Sequence, residues 1–167
     1  SQGAAFPMLP VTVPSGLTCS DYTVQGNSTV TLPAGTYCYH NLTIAGNATL
    51  TTSGQVTVYL TGELTAQGNS TVGLTNNPSR ILFLLSPTAE ATMEQPIQGN
   101  NTFYGALYGP TAQFTIQGNA EIFGSVIAGQ INITGNAVVH YDQALTDLTQ
   151  VANLYSTSLV SWRELLD

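Results

Sequence analysis

Residues 22–32 read Tyr22-Thr23-Val24-Gln25-Gly26-Asn27-Ser28-Thr29-Val30-Thr31-Leu32. Apolar and hydroxylic residues alternate on both sides of a Gly-Asn pair. Period-2 alternation marks a strand with one buried face. Gly and Asn accept positive φ at least cost, so the pair marks a sharp corner between two strands.

The same phrase returns along the chain. Gly-Asn stands at Gly26-Asn27, Gly46-Asn47, Gly68-Asn69, Gly99-Asn100, Gly118-Asn119 and Gly135-Asn136, at intervals of 20, 22, 31, 19 and 17 residues. Two residues before each Gly come Val24, Ile44, Ala66, Ile97, Ile116 and Ile133. Four residues before it come Tyr22, Leu42, Leu64, Gln95, Phe114 and Ile131; four after it, Val30, Leu50, Val72, Phe103, Ile122 and Val139. A period near 20 fits either hairpins or the coils of a solenoid. Hairpins need an equally strong turn halfway along. The punctuation there is weaker: Pro33-Ala34-Gly35, Ser53-Gly54, Gly109-Pro110 and Ala128-Gly129. A corner passed once per coil fits better. The expected fold is all-β, a short parallel β-helix of about six to seven coils.

Coils in such a fold stack about 4.8 Å apart. The six Asn side chains then form a ladder, each amide bonding to the next. The 31-residue interval holds an exception. Ser86 to Pro96 has no strand pattern, carries Glu90 and Glu94, and reads as an extruded loop.

The ends differ from the middle. Residues 1–14 place Pro7, Pro10 and Pro14 among Phe6, Met8, Leu9, Val11 and Val13. Proline excludes a central strand but permits an extended arm. The solenoid is expected over 15–141 and a cap over 142–167. In that cap Asp142 can start a helix presenting Leu145, Leu148, Val151 and Leu154, followed by a tail with the single Trp162. Solenoid ends expose core and unpaired backbone and need covering.

Composition narrows the function. The chain has 167 residues, enough for one domain with a real core. Charged residues make up 7%, there is no lysine, and Arg80 and Arg163 face nine carboxylates for a net charge of −7. Nucleic-acid binding needs a basic surface, so no nucleic-acid partner is expected. No apolar run is long enough to span a bilayer. Residue 1 is Ser, which suggests a mature, exported chain.

Cys19 and Cys38 lie about one period apart, on neighbouring coils. An exported chain favours a disulfide; the alternative is two buried thiols. A zinc site wants four ligands and only His40 is near, so neither metal nor cofactor is expected. The nine carboxylates are scattered singly, without the paired spacing a glycosidase needs. His40 and His140 lie about five coils apart, and no nucleophile elbow accompanies His140-Tyr141-Asp142. The chain is expected not to be an enzyme; the one site open to proposal combines the Glu90–Glu94 loop with Glu121. Six Asn-x-Ser/Thr triplets, at Asn27, Asn41, Asn47, Asn69, Asn100 and Asn132, read as compositional unless the source is eukaryotic.

Several stretches carry a resemblance. They are Tyr104-Gly105-Ala106-Leu107-Tyr108-Gly109-Pro110, Ile116-Gln117-Gly118-Asn119-Ala120 and Ile122-Phe123-Gly124-Ser125-Val126. His140-Tyr141-Asp142-Gln143-Ala144-Leu145 and Ser161-Trp162-Arg163-Glu164 join them, as do Gly35-Thr36-Tyr37 and Leu42-Thr43-Ile44. Together, over residues 20–165, they resemble the C-terminal domain of bacterial PilX-type pilus-assembly and related surface proteins. The resemblance implies a short parallel β-helix on an exported protein, without catalysis and often behind a pilin-like membrane helix.

The leading expectation is therefore a non-enzymatic structural protein of the bacterial surface. It is pilus-associated or self-assembling into an extracellular filament, with itself or pilus and surface proteins as partners. The arm of Phe6, Met8, Leu9, Val11 and Val13 either packs on the next subunit or folds back to cap its own first coil. The alternative is a binding module for polysaccharide or ice. Thr29, Thr49, Thr71 and Thr102, each three residues after a repeat Gly, form its outward column, which Glu121 and Val138 interrupt.

Overall fold

The computed structural model describes residues 8–86 and 94–142. Among the described residues, twelve strands follow one another. They are β1 (Ser20–Val24), β2 (Thr29–Leu32), β3 (Gly35–Ile44), β4 (Thr49–Thr52), β5 (Val56–Leu60) and β6 (Leu64–Ala66). Then come β7 (Thr71–Val72), β8 (Ile81–Leu85), β9 (Glu94–Gly99), β10 (Thr102–Gly118), β11 (Glu121–Ile133) and β12 (Val138–Tyr141). A 3-10 turn, Pro78–Arg80, precedes β8.

Among the described residues every strand pairing is parallel. The chain therefore coils, and the fold is the β-solenoid that the repeat implied. Three faces run up the stack. The first holds β2, β4, β7, residues 102–105 of β10, residues 121–124 of β11, and β12. The second holds residues 35–39 of β3, then β5, β8, and the middles of β10 and β11. The third holds β1, residues 42–44, β6, β9, residues 113–118 and residues 130–133. The stack is thus about six coils high.

The Gly-Asn pairs join the third face to the first. Gly99 shows why a glycine is needed there: its φ is 89°, and a Cβ would stand 2.7 Å from the Gly68 carbonyl oxygen below. That close approach lets Asn100 N–H donate to Gly68 O at 2.8 Å. Inside, columns of mostly apolar residues stack on one another. Leu42, Leu64, Phe114, Ile44, Ile116, Phe103 and Phe83 are all fully buried. Layered burial of this kind supplies most of the stability, since each coil removes apolar surface from water only when its neighbours are present.

The first coil is closed by aromatic side chains. Tyr22 stacks on Tyr39 at 5.1 Å between centroids, and Tyr37 lies 6.4 Å from Tyr39. Burial holds the Tyr39 phenol above its usual pKa, and Tyr22 and Tyr37 push it further the same way.

Two expectations need correction. The stretch from Ser86 to Pro96 is not a loop to its end, because β9 begins at Glu94. Its Gln95 takes the core position held elsewhere by Tyr22, Leu42 and Leu64, and is fully buried. Its Oε1 accepts the Leu64 N–H at 2.5 Å. β6 and β9 pair only at Ala66 and Ile97, so a side chain serves the Leu64 amide. Residues 87–93 of the expected loop, Glu90 among them, lie outside the described residues, as do Phe6 and the expected helix with Leu145, Leu148, Val151 and Leu154.

The second correction concerns the arm. The fold-back alternative sent it to cap its own first coil. Its described part instead lies against the flank of its own chain. Val11 is only 5% exposed and packs with Leu82, Leu84, Ala106 and Tyr108, which point outward from the second face. Outward side chains normally meet water; here a peptide segment covers them.

Candidate functional site

Three surfaces carry the residues singled out above. The first is the Gly-Asn corner. Asn47 Nδ2 donates to Asn27 Oδ1 at 2.9 Å, Asn69 to Asn47 at 3.0 Å, and Asn100 to Asn69 at 2.9 Å. Asn119 donates to Asn100 at 2.9 Å and Asn136 to Asn119 at 3.1 Å. One ladder thus runs through all six repeats. A second amide ladder lies beside it: Gln98 donates to Gln67 at 3.2 Å and Gln117 donates to Gln98. Sequence reasoning missed it, although Gln precedes Gly-Asn at Gln25, Gln67, Gln98 and Gln117. Between Gln67, Gln98, Gln117 and Thr134 and the floor of Gly46, Gly68, Gly99, Gly118 and Gly135 lies an open trough of about 640 Å³. Each middle rung of the asparagine ladder, from Asn47 to Asn119, uses one amide N–H and one lone pair within the ladder and leaves one of each facing outward.

The second surface is the outer first face. Thr29, Thr49, Thr71, Thr102, Glu121 and Val138 stand in register there. Two residues further along the strands a ring column begins at Tyr104. Phe123 stacks on Tyr104 at 5.0 Å and His140 on Phe123 at 4.5 Å. The spacing hides a signal for it: Tyr104, Phe123 and His140 each stand five residues after a repeat Gly. Glu121 and His140 meet at 3.8 Å, both about half exposed. His40 stands elsewhere, its Nδ1 3.1 Å from Thr61 Oγ1. Among the described residues no three His, Cys, Asp or Glu side chains group as a metal would require.

The third surface is the second face with its arm. Cys19 and Cys38 form a disulfide, with Cα atoms 4.6 Å apart. Cys38 occupies the same outward column as Tyr59, Leu84, Tyr108 and Ile127. The bridge therefore ties the base of the arm to the lowest coil. Higher up, the Tyr108 hydroxyl donates to the Leu9 carbonyl. Residues 9 to 19 thus descend the face from the fourth coil to the first. Val13 is part-buried, while Met8 and Leu9 are exposed.

A family model, a domain of unknown function designated DUF7305, matches residues 40–148, roughly two thirds of the chain. The chain belongs to this family. The DUF7305 match takes in five of the six Gly-Asn corners and begins two residues after Cys38. The arm, the disulfide and the first corner lie outside it. No curated protein and no solved structure gives a match.

No helix among the described residues is long and apolar enough to cross a membrane. The chemistry on display is that of amides, hydroxyls and stacked rings on regular faces. Such groups hold coils together.

Proposed function

We propose that this DUF7305 chain is a non-enzymatic structural protein of the bacterial cell surface, self-assembling end to end into an extracellular filament or carried on a pilus. One observation carries the reading. Among the described residues, every large hydrophobic side chain that stands exposed is on the arm or on the last coils: Met8 and Leu9, then Ile131, Ile133, Val138 and Tyr141. The Gly-Asn corner between them carries polar ladders, and the apolar outward residues of the second face are covered by the arm. Met8 and Leu9 stand on the flank with the arm, so on the stack itself this apolar surface is gathered at one end, the last coils, and a contact from there to the first coil of another copy is head-to-tail and propagates because it does not close. The disulfide suits an oxidising, extracellular setting. The resemblance to PilX-type pilus-assembly proteins supports the surface setting and the pilus as the alternative carrier.

Negative-stain electron microscopy of the purified chain at rising concentration tests this. Regular filaments a coil-stack wide are expected. Dispersed single particles at every concentration would remove self-assembly and leave the pilus-borne role.

A second reading rests on the in-register Thr29, Thr49, Thr71 and Thr102. A flat hydroxyl column can bind polysaccharide or ice. Thermal hysteresis and glycan binding, both negative, would dispose of it.

A further inference from the structure

The outward side of the second face is built unlike the other flanks. Leu82, Leu84, Ala106 and Tyr108 point away from the core yet are 1, 6, 2 and 2% exposed. Tyr59 and Ile127 extend the apolar columns below and above them. The face is an apolar surface that accepts a peptide segment, and Val11 of the same chain packs into it.

Residues 8–13 are lightly held. They belong to no strand, and Pro10 has no N–H to donate. Among the described residues, what holds them is the Val11 side chain in its cluster and the Tyr108 bond to the Leu9 carbonyl, with Val13 part-buried. Below them the chain turns at residues 14–17. That turn has Gly16 at a φ of 92° and a Leu17 N–H to Pro14 O bond of 3.4 Å, at the long limit of hydrogen bonding. Beyond the turn, Cys19 is fixed to Cys38 on the lowest coil.

We propose that the Pro14–Leu17 turn is a hinge, and that the second face receives the arm of a second copy of this chain in place of its own. This inference rests on the end-to-end reading above and gives that contact its lock. The geometry permits it. From Cys19 to Val11 is eight residues, a reach of roughly 26 Å when extended. In the closed form the arm climbs its own face by two to three coils, about 10–14 Å at 4.8 Å each. With the turn opened it reaches as far downward, onto the same face of a copy stacked beneath. Exchange remakes the same Val11 and Leu9 contacts, so it costs little beyond the turn. The disulfide keeps the base of the arm at the interface in either form.

Complementing variants test the exchange. Val11→Asp spoils the arm and keeps the face; Leu84→Asp spoils the face and keeps the arm. Wild-type chains are expected to polymerise and each variant alone to stay monomeric. An equal mixture should give one-to-one dimers that grow no further, read by sedimentation velocity. If Val11→Asp polymerises like wild type, arm exchange is wrong and the end-to-end reading survives. If the wild type itself never assembles, both fall. Should Leu84→Asp not fold, a photo-crosslinking residue at position 9 replaces it. That residue is placed in isotopically heavy chains, which are co-assembled with light wild-type chains. Heavy–light crosslinks near Tyr108 are expected, and heavy–heavy crosslinks alone would overturn the exchange.

Discussion

The hydroxyl of Tyr108 donates to the carbonyl of Leu9, across 99 residues of sequence. It joins the fourth coil to an arm that no strand pairing holds. Burial raises the Tyr108 pKa. Ionisation removes the donor and places a charge among Leu82, Leu84 and Val11.

That bond makes stability depend on alkaline pH. A phenol whose folded pKa is raised above the unfolded value near 10 contributes stability fully present below pH about 10. The contribution is lost as pH rises through the folded value. Tyr39 is raised in the same direction by burial, then by Tyr22 and Tyr37, so both act together. The urea midpoint is expected to fall between pH 9 and pH 11. Tyr108→Phe should lose about 1 kcal/mol at pH 7 and show a shallower alkaline fall. A midpoint flat to pH 11 would contradict this.

The asparagine ladder should be strongest in its middle. Asn100 accepts from Asn119 and donates to Asn69, whereas Asn27 only accepts from Asn47. Asn100→Ala removes two bonds and Asn27→Ala one. At about 0.5 kcal/mol for each exposed bond, the low end of the usual range, the costs are near 1 and 0.5 kcal/mol. Thermal melting should show roughly 2–4 °C for the first and half that for the second. Equal shifts would mean that the rungs do not act as a ladder.

Two glycines with the same backbone conformation should differ sharply when replaced. Gly26 and Gly99 both have positive φ, but a Cβ on Gly26 meets nothing within 4 Å. Gly26→Ala should cost only the left-handed conformation, roughly 1–2 kcal/mol. Gly99→Ala adds the contact with Gly68 O and should cost more than about 4 kcal/mol, enough to prevent expression as folded protein. Similar melting temperatures for the two would show that the coils can spread apart.

Gln95 is a polar residue in an apolar column, yet the apolar replacement should be the worse one. Gln95→Leu matches the neighbouring Leu64 and Phe114 but leaves the Leu64 N–H without its acceptor. The expected loss is about 1–3 kcal/mol in denaturant unfolding. A stabilised Gln95→Leu would show that another acceptor takes over.

The parallel coil and its corners were legible because they depend on local chemistry repeated. Gly-Asn marks where the chain must turn, and alternation about it marks which side chains turn inward. A stack of equal coils then follows, because it alone buries every inward column at once. The pairing of Cys19 with Cys38 followed from the same period. The aromatic column was half legible: Tyr104, Phe123 and His140 share a repeat position, but only stacking makes them touch.

Tertiary structure alone decided where the arm and Gln95 go. Proline and apolar residues at 8–13 say that the segment is extended and must be covered; they do not say by what. The answer lies in outward residues of β8 and β10, whose apolar character reads along the chain as an all-buried run. Gln95 looked like loop because its partner, the Leu64 amide, is 31 residues away. Periodicity reports what each residue needs from its own coil. Contacts that cross coils, or run down their flank, depend on how far the coils rise and which groups remain unpaired once they have stacked.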